Sequence, residues 1–101
     1  MIKSVTSQTV KPGKMQEARQ LSLDLAAHAN KNYADLIEVQ VLSNISGPSN
    51  RLHTIGSCKS LSDWEVGRER WAKDSKAQEL MQKIPEVFEN DHESTFFRVE
   101  S

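Results

Sequence analysis

The sequence predicts an α+β fold: a four-stranded antiparallel sheet with helices on one face. Three observations predict it. The apolar period switches between two and three-to-four along the chain, in the order strand, helix, strand, strand, helix, strand. The two middle strands are separated only by Ser43 to Asn50, a cluster of Ser, Asn, Gly and Pro that suits a hairpin loop. The first and last strands are each set apart from the middle pair by a helical stretch, as a crossover requires. That order, β-α-β-β-α-β, is the ferredoxin-like split βαβ arrangement.

The first strand is read from Ile2 to Val10, on its content of Ser, Thr and Val; the alternation itself is weak. Pro12 and Gly13 end it and turn the chain. From Gly13 to about Lys31, Met15, Ala18, Leu21, Leu25 and Ala29 recur at helical spacing and define one face. Ser22 falls within that stripe, His28 on its edge and Leu23 on the far side. Leu36 to Leu42 alternates clearly. Ile37, Val39 and Val41 are expected under the helices, and Leu36, Glu38, Gln40 and Leu42 on the other face. Leu52 to Cys58 is the returning strand, with Gly56 marking a bulge or a close approach. Its phase is ambiguous: His53 and Ile55 share one face, Leu52, Thr54 and Cys58 the other.

Ser62 followed by Glu65 matches a capping box, which starts the second long helix. Trp64, Arg68 and Trp71 share one side of it, with Gly67 beside them. Ser75 and Gln78 form a second such box, so the helix is expected to break near Asp74 and restart. Ala77, Leu80, Met81 and Ile84 form its apolar stripe, and Pro85 ends it. Val87 and Phe88 anchor the acidic stretch that follows. The last strand is read from Ser94 to Val99, with Phe96 and Arg98 opposite to Thr95, Phe97 and Val99.

A chain of 101 residues makes one domain, small enough that a second copy would add useful burial. Thirteen Lys and Arg against 14 Asp and Glu give no basic excess of the kind a nucleic-acid surface needs. No apolar run approaches membrane-spanning length and the N-terminus lacks a signal-type apolar core. A single cysteine, Cys58, has no intrachain partner. The expectation from these features is a cytoplasmic protein that binds neither nucleic acid nor membrane.

Several residues have chemistry to offer. Trp64 and Trp71 are suited to wall an aromatic pocket, with Arg68 between them to hold a carboxylate or phenolate; read plainly, they are the core stripe of an amphipathic helix with Arg68 at its rim. His28 and His53 would serve as acid and base if both faced the space between sheet and helices; otherwise one is a boundary histidine and the other an exposed strand residue. Asp91, His92 and Glu93 are metal-ligand types, but adjacent side chains diverge and no second ligand pair has suitable spacing, so no metal is expected. No phosphate-binding glycine loop and no Gly-x-Ser-x-Gly motif is present.

The element order, the VKPGK exit from the first strand and the SCKSLSDWEVGRERWAKD run after the third resemble the dimeric α+β barrel superfamily. Within it, the chain is similar to antibiotic-biosynthesis-monooxygenase-like and NIPSNAP-like domains. The resemblance implies a homodimer closed by two facing sheets and a pocket between each sheet and its helices. It also implies cofactor-independent oxygenation of a small aromatic substrate, with a non-catalytic ligand-binding or interaction module as the alternative. Haem-degrading members carry an asparagine on the first strand and a histidine soon after the helix tryptophan. Ile2 to Val10 contains no asparagine, and no histidine follows Trp71 before His92.

Overall fold

The computed structural model describes residues 1–101. Its elements are β1 (Ile2–Thr9), α1 (Met15–Asn32), β2 (Glu38–Ser43), β3 (Arg51–Cys58), α2 (Leu61–Ala72), α3 (Ser75–Met81), α4 (Ile84–Val87) and β4 (Glu93–Arg98). The four strands form one antiparallel sheet in the order β2-β3-β1-β4. This is the ferredoxin-like arrangement expected from the sequence. No helix is long and apolar enough to cross a membrane.

Pairing fixes the two faces. Opposed residues in an antiparallel ladder point to the same side. Ser4 pairs with Gly56 and Phe96, Thr6 with Thr54 and Ser94, and Gln8 with Leu52, so these share the helix side. Val5 pairs with Ile55 and Thr95, and Ser7 with His53 and Glu93, on the opposite, helix-free face. Val39 lies opposite Gly56 on the helix side, while Leu42 lies opposite His53 on the free face. The strand-three ambiguity is thereby resolved in favour of Leu52, Thr54, Gly56 and Cys58 facing the helices.

The core occupies one end of the sheet–helix space. Val10, Ala18, Leu21, Leu52, Leu80, Val87 and Phe88 are buried together there, with Met15, Leu25 and Ile84 packed against them. The turn after β1 makes this end possible. Gly13 has φ +75°, a backbone conformation that L side chains rarely adopt, so the turn needs glycine. Beyond β1, Val10 bridges to Phe88, and backbone bonds from Lys11 to Val87 and from Glu89 to Thr9 dock α4 against the strand end.

The sequence-read caps shift by one or two residues. Ser60, not Ser62, caps α2: its backbone is extended and its Oγ accepts from the Asp63 N–H at 3.2 Å. Both serines stand three residues before an acid, and the one adjoining the end of β3 wins. Asp74, not Ser75, caps α3 by accepting from the Ala77 N–H. A carboxylate is the stronger acceptor, and this one also holds two other donors. The break at Asp74 falls where expected. Pro85 does not simply end the helix; it sits in the first turn of α4, where a missing N–H breaks no helical bond.

Candidate functional site

The other end of the sheet–helix space is hollow. A cavity of about 390 Å³ lies between β1–β3 and the inner faces of α1 and α2. Ser4, Thr6 and Gln8 of β1 and Thr54 and Gly56 of β3 floor it; Ser22, Leu25, Ala26 and Ala29 of α1 form one wall. Trp64, Gly67, Arg68 and Trp71 of α2 form the other, and Tyr33, Ile37 and Val39 close the β2 side.

Its presence follows from which residues face inward. β1 is a central strand, yet its helix-side residues are Ser4, Thr6 and Gln8, where a filled core would place large apolar side chains. Opposite Ser4 stands Gly56, with no side chain at all. A Cβ there would lie 2.9 Å from Ile37 Cδ1, so glycine is what admits the Ile37 tip to the sheet, while Trp64, at 3.7 Å, would remain in ordinary contact. Trp64 also meets Phe96 edge to face, with ring centroids 5.1 Å apart. No residue of α2 is fully buried. The helix is held at its ends and by its two indoles instead of by a continuous packed stripe.

The far end of α2 is tied by a polar knot. His28 Nε2–H donates to Asp74 Oδ2 at 2.7 Å, and the Tyr33 hydroxyl donates to the same oxygen at 2.8 Å. Asn32 Nδ2 donates to His28 Nδ1, which sets that tautomer. The bond from His28 first, then the Ala77 N–H and the Tyr33 hydroxyl, lower the Asp74 carboxyl from 3.8 to about 2. The Tyr33 hydroxyl is pushed above its ordinary value, first by burial and then by its bond to Asp74. Trp71 packs against His28 and Tyr33 at centroid distances of 5.8 and 5.5 Å. Arg70 crosses behind, with its guanidinium 4.7 Å from the Tyr33 ring centroid, paired with Asp35 and donating to the Asn32 carbonyl.

The five residues singled out in the sequence divide as follows. Trp64, Arg68 and Trp71 all line the cavity. His28 and His53 do not meet in it. His28 lies behind Trp71, outside the lining, with both ring nitrogens engaged in the knot. His53 is on the opposite side of the sheet, because the strand phase turns Thr54 and Gly56, not His53, toward the helices. There its Nε2–H donates to Asn44 Oδ1 at 2.6 Å and its Nδ1 accepts from Ser7 at 2.7 Å.

Sequence reasoning missed Tyr33 and Asp74, partners across more than forty residues that no local pattern links. The polar inward face of β1 went unread, although Ser4, Thr6 and Gln8 stand at a spacing of two. Asp63, the only carboxylate in the lining, lies between Ser62 and Glu65 in the stretch that suggested a helix start. Cys58 is buried and donates to the Ser60 carbonyl; burial, then Asp63, pushes its thiol up, away from the reactive thiolate. Nowhere do three His, Cys, Asp or Glu side chains converge as a metal site would require. Asp91 instead accepts from the Thr9 N–H and hydroxyl at the foot of β1.

No family model matches this sequence, and comparison with curated proteins finds no match either. Solved structures do match over the whole fold. An uncharacterized NIPSNAP domain protein from Burkholderia xenovorans superposes with a TM-score of 0.82 at 19% identity, covering 100% of this chain and 96% of that one. A NIPSNAP family protein of unknown function from Agrobacterium tumefaciens gives 0.78 at 20% identity, covering 96% and 86%. An antibiotic biosynthesis monooxygenase gives 0.77 at 11% identity, covering 100% of both chains. The chain therefore has the ferredoxin-like fold that NIPSNAP and antibiotic-biosynthesis-monooxygenase proteins share.

Proposed function

We propose that this protein binds a small flat aromatic molecule in the cavity under α2. The observation that supports this most is the cavity's construction: about 390 Å³, two indoles and a phenol ring for walls, hydroxyls for a floor. Ligand pockets are typically apolar concavities of roughly 300–1,000 Å³ with a few polar groups that orient the guest. A thermal melt of the protein against a panel of fused-ring aromatics tests the reading. A ligand at about 100 times its Kd should stabilise the fold by about 2.7 kcal/mol. A panel that leaves the melting temperature unmoved, for the parent and a Trp71→Ala variant alike, defeats it.

A second reading, oxygenation of that aromatic, is favoured by Asp63 and by the name of the monooxygenase that shares the fold. Asp63 would accept a proton from an acidified ring C–H. The resulting carbanion would reduce dioxygen; one oxygen atom would become the new carbonyl and the other would leave as water. Binding, proton acceptance and exclusion of water would be the protein's share. Dioxygen uptake with an anthrone-type substrate, lost in Asp63→Asn, is the expected result; uptake equal to the buffer blank counts against it.

The helix-free sheet face is proposed to pair with a second copy of the chain. Val5 and Ile55 lie at its centre, flanked by exposed Leu42 and Phe97. Such a cluster suits a partner surface. Sedimentation should give twice the chain mass, and Leu42→Arg should shift it to the monomer, because the charge would be buried without a partner.

A further inference from the structure

We propose that Arg68 makes the cavity selective for an aromatic monocarboxylate, with the rings against Trp64 and Trp71 and the carboxylate at the guanidinium. The proposal rests on the reading of the cavity as a small-molecule site and names the class of ligand it would choose.

Only two residues of the lining carry charge, Asp63 and Arg68. Arg68 is exposed at the rim and belongs to none of the molecule's ion pairs, which are Lys14–Glu17, His28–Asp74, Arg51–Asp91 and Arg70–Asp35. The contrast with Arg70, two residues on, is direct. Arg70 is committed to Asp35, to the Asn32 carbonyl and to the Tyr33 ring. On this helix one guanidinium is structural, and the other stands free on the cavity wall.

The two charged residues do not neutralise each other. Five residues apart, they are about 140° apart around the helix and about 7.5 Å apart along it. The tryptophan stripe lies between them, and no ion pair joins them. An anion is therefore welcome on the Arg68 side and repelled on the Asp63 side. A rigid ring system that carries its acid on one edge meets that condition. A single cation suits a monoanion better than a phosphate ester, which would need more positive charge than the lining holds. The planar fork of a guanidinium matches a carboxylate with two parallel hydrogen bonds, and ring faces favour a flat guest over an alkyl chain.

Isothermal titration of the full chain with 2-naphthoate, neutral 2-naphthamide and decanoate decides it. The expected result at low salt is naphthoate binding about tenfold tighter than naphthamide, consistent with one charge-assisted contact. That preference should shrink as salt rises. In Arg68→Gln the naphthoate and the amide should bind alike, and Arg68→Lys should restore part of the difference. Equal binding of acid and amide by the parent, or a preference that survives in Arg68→Gln, overturns the role of Arg68 while leaving the aromatic cavity standing. Decanoate binding as tightly as naphthoate overturns the aromatic class. Failure of every compound to bind overturns the cavity reading, and this proposal with it. Circular dichroism of each variant confirms that the exposed substitution leaves the fold intact.

Discussion

The two ends of the sheet–helix space are built on the same two strands and end up opposite in character. At one end Val10 and Leu52 face Leu21, Leu80, Val87 and Phe88, and the space is filled. A few residues along the same strands, Ser4, Thr6, Thr54 and Gly56 face Trp64 and Trp71, and the space stays open. The ladder runs from Ile2 opposite Cys58 to Thr9 opposite Arg51 and the Val10 N–H goes on to the Asn50 carbonyl, so backbone pairing does not make the difference. Side-chain volume and polarity do. The filled end supplies the burial that holds the domain together, and the open end is free to be shaped for a guest.

That contrast can be broken most decisively at the filled end. Leu52→Ala should cost about 2–5 kcal/mol, read as a lowered urea midpoint with unchanged slope. A cost below about 1 kcal/mol would mean the filled end is not the stabilising one. Next is the knot behind Trp71 at the open end. Asp74→Ala removes the α3 cap and strands the His28 and Tyr33 donors, a loss of about 2 kcal/mol.

The same carboxylate gives a pH test. Its folded value of about 2 lies below the ordinary 3.8, so its contribution is fully present above about pH 4. It is lost as pH falls from about 4 toward 2. Urea midpoints measured across that window should fall in the parent, and the fall should be shallower in Asp74→Asn.

Much of this was legible from the residues. Strand order, hairpin and helix break follow from local pattern and turn chemistry, and the sheet pairing followed from them. The inward face of α1 was legible too: Ala18, Leu21, Ser22 and Ala29 are buried as the spacing predicts, and Leu23 is exposed. The caps were missed by a residue or two because Ser60 and Ser62, and Asp74 and Ser75, are each competent locally. Only the end of β3 and the Tyr33 and His28 donors decide between them. The histidine placement was left open between two alternatives for a different reason. In a strand whose two faces are both partly apolar, one step of phase sends His53 to the other side of the sheet. Ser4, Thr6 and Gln8 were the sign of the cavity that went unread, since three polar residues facing the helices from a central strand cannot fill a core.

Two smaller effects sharpen the comparison at the open end. Gly56→Ala should cost only about 1 kcal/mol, because the group in its way is the flexible tip of Ile37, which can swing aside. It should weaken ligand binding more than that, since Ile37 and Trp64 both border the cavity. Calorimetry and a urea titration of one sample compare the two losses. Thr54→Val should change stability by no more than about 0.5 kcal/mol, as its hydroxyl faces the cavity and holds no structural bond. That would be several-fold less than Leu52→Ala on the same strand face, and an equal loss at both positions would erase the distinction between the ends.

Trp64 and Trp71 are the chain's only tryptophans, and both stand on the cavity wall. Indole emission from this protein is therefore a local signal from the open end, with Tyr33 close enough to Trp71 to pass its excitation on. The filled end holds no indole and is silent in that channel. Far-ultraviolet circular dichroism, by contrast, registers every helix and strand. Melting curves followed by the two methods would coincide if the domain unfolds as one unit. If α2 loosens first, the emission curve would move to lower temperature by itself, and the gap between the curves would measure how independently the cavity's lid melts.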